Sequence, residues 1–269
     1  LAEHHGSTTY LSSATTVLMG QVLAVTERLG VASSGIMLPN HAPLVVAEQI
    51  GTLATLYPGR VDLGLGRAPC TDRRTAAALR RRASEPGRFA EEILEILTYL
   101  GDEPVPERVP GSLLLGSHGN PDDALHAPEP GSPRVRAIPG EGTRPTVWVL
   151  GSSVNGARVA GRLGLPFAVA SHFAPVQAEA AIATYRYVLE SRTEDAPGPQ
   201  GAPDVPRVAA AVNVMVAPSQ EEARLLFSTA MAAAARIVGN RPGPLDPPSQ
   251  DPQAWRAYAP GREGAGEAA

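Results

Sequence analysis

Small and polar residues stand where two short apolar runs end within residues 31–69, VASSGIMLPNHAPLVVAEQIGTLATLYPGRVDLGLGRAP. The first run leads into a Pro-containing turn, and the second closes on Arg67 in a Gly-rich turn. A phosphorylated ligand could approach the backbone at such positions, because small side chains leave space and an Arg can pair with its charge. The pattern therefore favours a binding site for a phosphorylated ligand.

Composition narrows the chemistry further. All 23 basic residues are Arg, which excludes a Schiff-base lysine, a P-loop lysine and a lysine general base. The single Cys70 can form neither an internal disulfide nor a Cys-rich metal site, and it favours a reducing, cytoplasmic location. The formal charge of −4 gives no electrostatic reason to expect nucleic acid. No apolar run is long enough to predict a membrane span.

Strands and helices alternate along the chain. Strands are predicted at 31–38, 60–66, 146–150, 167–171 and 208–216, and a helix is predicted after each of them, at 44–56 after the first strand and at 89–100 after the second. Such alternation predicts an α/β fold with a parallel sheet and helices outside it. A chain of 269 residues suits one such domain.

The predicted domain covers residues 1–238. It is interrupted by a long Pro- and Gly-rich loop at 103–145, and its last helix starts at a capping box formed by Ser219 and Glu222. Residues 239–269 are rich in Pro, Gly and Ala, a composition that predicts a disordered tail.

Ligands of parallel α/β folds bind at the carboxyl ends of the strands. The polar residues of this sequence fall there, at Glu3-His4-His5, 33–38, Gly64–Arg67, Gly151–Asn155 and Ser171-His172. Adjacent His residues on a strand point to opposite faces, so His4 and His5 are not expected to share a metal, and no metal is predicted. His41 is expected to lie in a structural turn.

Five motifs occur in one order along the chain: LAEHH, GIMLPNHAPLVVAEQ, PGRVDLGLGRAP, VWVLGSS followed by LGLPFAVASHF, and VNVMVA. Together they resemble the luciferase-like flavin monooxygenases, (β/α)8 TIM barrels that use reduced FMN and oxygen. The resemblance implies the same α/β barrel. It also implies a barrel incomplete at both ends, because nothing in the sequence matches the first and last barrel elements.

The resemblance also implies site residues. His4 matches the active-site base of the family, while Glu3 matches the motif without an assigned role. The Ser34–Gly35 peptide matches a non-prolyl cis bond beneath the flavin ring. Positions that bind the FMN phosphate match Arg67, Arg88, Gly151, Ser152 and Asn155.

Physical chemistry agrees with this transfer. The start of the helix after Gly151-Ser152 would offer free N–H groups and the positive end of the helix dipole to a phosphate. Arg67 would add a bidentate clamp. Gly64 and Gly66 are expected to leave room for the cofactor near the backbone.

The function implied is oxygenation of a small organic substrate by reduced FMN and O2. A separate NAD(P)H:flavin reductase would supply the reduced flavin, since no second nucleotide-binding fold is evident, and a homodimer is common in the family. Two alternatives stay open: an F420-dependent oxidoreductase of the same fold, and a truncated, non-catalytic flavin-binding protein.

Overall fold

The computed structural model describes residues 1–7, 9–67, 72–79, 86–101, 135–172, 174–193, 206–239, 241 and 243–258. Cys70, most of the predicted loop 103–145 and residues 259–269 lie outside the described residues. The chain divides into two compact units. The first comprises Leu1–Gly6 with Ser12–Ala210, and the second comprises Ser7–Leu11 with Ala211–Ala269.

The first unit alternates strands and helices, as its periodicity predicts. Its helices are α1 (Thr15–Ala24), α2 (Pro43–Leu56), α3 (Arg73–Ala78), α4 (Pro86–Leu100), α5 (Val154–Leu163) and α6 (Pro175–Glu190), with a 3-10 turn at Leu38–Asn40. Its strands are β1 (Val31–Ala32), β2 (Ile36–Met37), β3 (Val61–Gly66), β4 (Thr146–Gly151), β5 (Phe167–Val169) and β6 (Val208–Ala210).

All strands belong to one parallel sheet in the order β1-β3-β4-β5-β6, with β2 also pairing with β3. Within the described residues the sheet forms a half-barrel, which confirms the predicted α/β class and is consistent with the predicted incomplete barrel. Alternate residues of its central strands, such as Leu63, Val149 and Phe167, are fully buried in the core that the sheet shares with the helices. This burial follows from the short apolar runs of a parallel sheet.

The predicted strand 31–38 is broken into β1 and β2. Ala32 pairs with Asp62, whereas Ile36 pairs with Leu65. Three residues, 33–35, therefore stand opposite two residues of β3, which defines a bulge. Periodicity could not show this break, because the residues on both sides of it are apolar.

The second unit contains helix α7 (Gln220–Val238) and a 3-10 helix at Ala254–Tyr258. The predicted cap is confirmed, since the Ser219 hydroxyl accepts a hydrogen bond from the Glu222 amide at 3.1 Å. The unit boundary at Ala210 differs from the predicted domain end at 238, and the predicted strand 208–216 stops at Ala210.

Residues 243–258 of the predicted tail are among those that the structure describes. An ion pair between Arg236 and Asp246 ties residues of this stretch to α7, with an Arg236 Nη2 to Asp246 Oδ1 distance of 2.8 Å, and the Tyr258 hydroxyl accepts from the same guanidinium. Pro- and Gly-rich composition predicts disorder only where side chains find no such partners. Among the described residues, no helix is both long and apolar enough to cross a membrane.

Candidate active site

The EHH segment is fixed to the first strand through backbone hydrogen bonds. The Leu1 amino group donates to the Ala32 carbonyl at 2.8 Å, and the Ser34 amide donates to the Leu1 carbonyl at 2.6 Å. The Glu3 amide then donates to the Gly35 carbonyl at 3.3 Å. The segment therefore runs beside the bulge, and this pairing places Glu3, the residue before His4, next to Gly35.

The Ser34–Gly35 peptide bond is cis, as the resemblance implied. It packs tightly against β3. A Cβ on Gly35 would lie 2.8 Å from the Gly64 carbonyl oxygen, and a Cβ on Gly64 would lie 2.2 Å from the Ser33 carbonyl oxygen. These distances are shorter than any van der Waals contact, so glycine is required at both positions for the strands to approach.

The expectation that Gly64 and Gly66 leave room for a cofactor is wrong. The space beside Gly64 is filled by Ser33 and by the Leu150 side chain, and the space beside Gly66 is filled by the Met37 side chain, whose Cε would lie 2.6 Å from an added Cβ. The two glycines serve the packing of neighbouring strands instead. A sequence cannot distinguish a glycine that admits a ligand from one that admits another part of the chain.

The carboxyl ends of the central strands lie at one level. Gly66 pairs with Met37 on one side and with Leu150 on the other. Arg67 and Gly151 are the next residues of two adjacent strands, which in a parallel sheet lie about 4.8 Å apart. The fold thus brings Arg67 to the same edge as Gly151 and the Ser152 turn that follows it.

Helix α5 begins three residues after β4 ends, at Val154, with Ser153 in an extended conformation at its N-cap. The Ser153 side chain makes no capping hydrogen bond, and the first turn of α5 carries no acidic residue. Asn155 faces the next turn of the helix, where its Oδ1 accepts from Arg158 Nη1 at 3.4 Å. The first backbone N–H groups of α5 therefore form an end that suits an anion.

Arg88 has an ion-pair partner on its own helix. Its Nε lies 3.4 Å from Glu92 Oε1, one turn further along α4, and its side chain is 40% exposed. The structure therefore gives the guanidinium an intrahelical contact, while its predicted role at a phosphate stays a prediction.

The least expected feature is the carboxylate of Glu3, which is only 2% exposed and accepts four hydrogen bonds. Its Oε1 accepts from His5 Nε2 at 2.7 Å and from Asn40 Nδ2 at 2.8 Å. Its Oε2 accepts from the Met37 amide at 3.0 Å and from His41 Nε2 at 2.9 Å.

The sequence did not assign Glu3 a role, and it treated His41 as part of a structural turn. The sequence offered one signal for such a role, a charged residue between an apolar residue and a histidine at a strand end. Only the fold brings the turn after β2 onto the same carboxylate.

The pKa values of Glu3 and His4 are both shifted from their usual values. Burial alone would raise the pKa of Glu3, but hydrogen bonds from His41 and Asn40, the charge of His41 and the Met37 amide outweigh it and lower the pKa to about 2. Burial lowers the pKa of His4 below its usual value, and this effect exceeds the opposing attraction of Glu3. Burial thus favours the neutral imidazole of His4, which is able to accept a proton.

Glu3, His5 and His41 place potential ligand atoms within 4.8 Å of one another. Their donor types would suit a divalent metal. However, a carboxylate has about four lone-pair sites, and four N–H donors contact those of Glu3. The observed geometry is thus that of a hydrogen-bonded cluster.

His172 follows β5 at the same edge of the sheet, and partial desolvation lowers its pKa although the residue is exposed. Its role as a pocket wall stays a prediction.

The sequence model of the family described as "Luciferase-like monooxygenase" matches residues 1–268. This chain belongs to that family. The protein named "Luciferase-like monooxygenase" from Escherichia coli K12 is 40% identical over 252 residues, which cover 93% of this chain and 65% of the relative. The chain thus spans about two thirds of the length of such relatives. Membership of the family supports an oxidoreductase.

Comparison with solved structures agrees with this family membership. The crystal structure of apo-MsnO8 matches with a TM-score of 0.68 and 31% identity, over 95% of this chain and 67% of that one. Two matches at lower identity show the shared fold alone. An F420-dependent secondary alcohol dehydrogenase has a TM-score of 0.61 at 15% identity, covering 96% of this chain and 70% of its own. The FMN-bound oxygenating component of 3,6-diketocamphane monooxygenase from Pseudomonas putida has a TM-score of 0.51 at 19% identity. The match covers 84% of this chain and 59% of that one.

Proposed function

We propose that this chain carries the flavin site of an FMN-dependent monooxygenase, which uses O2 to oxygenate a small organic substrate. The observation that carries the proposal is the alignment of Arg67 with the Gly151–Ser152 turn, next to the uncapped start of α5. A guanidinium and the N–H groups of a helix start that lacks a side-chain cap, at one edge of a sheet, form a donor set suited to a phosphate.

The residues present fit the phosphate of FMN. Arg67 would supply a charge that persists at every physiological pH, and Ser152 and Asn155 would supply side-chain hydrogen bonds beside the N–H groups of α5. Gly151, the last residue of β4, places no side chain at the turn that leads into α5. Arg88 is a further member of the set, and its guanidinium pairs with Glu92.

The isoalloxazine ring would lie over Ser34 and Gly35, where the bulge presents backbone rather than large side chains. When bound, reduced FMN would supply the two electrons with which one oxygen atom of O2 is transferred to the substrate and the other is reduced to water. The protein has to orient the substrate and to exclude water so that oxygen reaches the substrate.

His4 would move the proton that this reaction requires. Burial favours its neutral imidazole, so the side chain can accept a proton from substrate or flavin and return it in a later step. The pairing of Glu3 with Gly35 holds the neighbouring backbone beside the proposed ring position.

We further propose a redox partner, a cellular location and an oligomeric state for the enzyme. A separate NAD(P)H:flavin reductase would deliver the reduced flavin in the cytoplasm, and the chain would act as a homodimer. A fold match to an F420-dependent dehydrogenase motivates the second candidate, hydride transfer with F420. A non-catalytic flavin-binding chain is the third.

Binding and turnover separate these candidates. Anaerobic titration should show binding of reduced FMN, with F420 competing poorly. A flavin reductase with NADH and 18O2 should then transfer 18O to members of a panel of aldehydes, ketones and thioethers, detected by mass spectrometry. Tighter binding of F420 would favour the second candidate, and FMN binding without labelled product would favour the third. Failure to bind FMN in either redox state would overturn the proposal.

A further inference from the structure

We infer that Glu3 is a positioning residue, whose buried carboxylate holds His5 and His41 as Nε2–H donors and fixes the turn after β2 against the segment that carries His4. The consequence for the flavin rests on the proposed function. The geometry of the cluster does not, so the two can be tested separately.

The first support is the number of donors. His5 and Asn40 contact Oε1, while His41 and the Met37 amide contact Oε2. A carboxylate with its lone pairs occupied in this way can act neither as a proton acceptor nor as a free metal ligand without losing a partner. Its role is therefore to hold the groups around it.

The second support is the tautomer that these contacts require. Each imidazole places Nε2 within 2.9 Å of a carboxylate oxygen, which can only accept, so Nε2 must carry the proton. In a neutral ring the lone pair then lies on Nδ1. Glu3 thus decides which nitrogen of His5 and of His41 can accept a hydrogen bond from other groups.

The third support is the position of the contacts along the chain. The Glu3 backbone amide donates to the Gly35 carbonyl, and the Glu3 side chain accepts from the Met37 amide. The residue therefore holds the strand on both sides of Ile36, immediately after the bulge. Because His4 follows Glu3 directly, movement of Glu3 would displace both the proposed base and the proposed ring position.

The matched variant is Glu3→Gln. Glutamine keeps the size of the side chain, but its NH2 group would face two of the four donors. We expect FMN affinity to fall by roughly tenfold, because buried donors lose their acceptor. The control is Glu179→Gln on the exposed face of α6, which should leave FMN affinity unchanged.

The decisive readout is the tautomer, measured by 15N NMR of histidine-labelled protein, with signals assigned through His5→Gln and His41→Gln. In the wild-type protein both rings should show protonated Nε2 from pH 6 to 8. Glu3→Gln should shift both rings toward mixed tautomers, whereas Glu3→Asp should restore the wild-type pattern in part.

The wild-type spectrum alone decides the matter if Glu3→Gln does not fold. An unprotonated Nε2 in either ring of the wild-type protein would overturn the inference, as would an unchanged histidine spectrum in a folded Glu3→Gln variant. If the wild-type protein shows the expected tautomers but binds no FMN, the proposed function fails while the positioning role of Glu3 stands.

Discussion

The Ser33 hydroxyl bridges both backbone groups of Gly64, donating to its carbonyl oxygen at 2.9 Å and accepting from its amide at 2.9 Å. This bridge replaces the ladder hydrogen bonds that the bulge interrupts. A Cβ on Gly64 would collide with the Ser33 carbonyl at 2.2 Å. The bulge therefore depends on the absence of a side chain in the neighbouring strand.

Gly64→Ala should lower the free energy of unfolding by about 1–3 kcal/mol, because a rigid backbone atom occupies the required space. Chemical denaturation followed by circular dichroism would measure the loss. The matched control is Gly30→Ala, whose Cβ would meet nothing closer than the Arg60 carbonyl at 3.9 Å. Equal stability of both variants would contradict the close approach of Ser33 and Gly64.

Arg67→Ala should remove the preference for FMN over riboflavin, which lacks the phosphate. Charge-assisted hydrogen bonds contribute about 1.5–3 kcal/mol, which corresponds to roughly 10- to 150-fold in FMN affinity. Fluorescence titration with both flavins would measure the preference. Arg186→Ala, on the exposed face of α6, is the control. Retention of the preference in Arg67→Ala would remove this residue from the phosphate site.

Arg88→Ala tests the second proposed phosphate residue by the same titration. We expect a smaller loss of FMN affinity than for Arg67→Ala, because Glu92 and solvent already share the Arg88 guanidinium. A loss as large as that of Arg67→Ala would show that Arg88 leaves its ion pair with Glu92 to bind the ligand.

His4→Gln should lower kcat by about a hundredfold or more, the usual contribution of a positioned acid–base group. Burial lowers the pKa of His4 from its usual value of 6.5. The neutral base therefore persists below pH 6.5, and wild-type kcat/KM should fall only as pH drops through this lowered pKa. The variant should lack that inflection, while His172→Gln should keep it. An unchanged pH profile in His4→Gln would exclude His4 as the base.

Stability at low pH should report on Glu3. Its pKa is lowered from 4.5 to about 2 in the folded chain, so its ionised form stabilises the fold fully above about pH 4.5 and progressively less as pH falls toward 2. The linked free energy is about 3 kcal/mol in order of magnitude. Glu3→Gln should unfold with a shallower pH dependence over this interval, measured by urea titration at several pH values. A parallel pH dependence in both proteins would contradict the lowered pKa.

The order of strands and helices was predictable from the sequence, because each buried strand is a short apolar run and each helix has its own period. Helix α2 starts at Pro43 and β3 ends at Gly66, within a residue of prediction. The bulge at 33–35 was not predictable from periodicity. Its cause is the register of β1 and β2 against β3, a property of two separate segments.

The same distinction applies to the candidate site. The sequence by itself determined which chemistry is available: Arg without Lys, His residues at a strand end, and a Ser-Ser turn before a helix. Motif order also placed Ser34–Gly35 and Arg67 at strand ends, where parallel topology brings ligands.

Only the tertiary structure decided which residues meet. Glu3 joins His5, Asn40 and His41, which lie up to 38 positions away in the chain, and the space beside Gly64 belongs to Ser33 rather than to a cofactor. The carboxylate of Glu3 acquires its positioning role, and Gly64 its packing role, only when the folded chain brings their neighbours into contact with them. Local sequence determines residue type and strand order, whereas hydrogen-bond partners and occupied volume depend on long-range register.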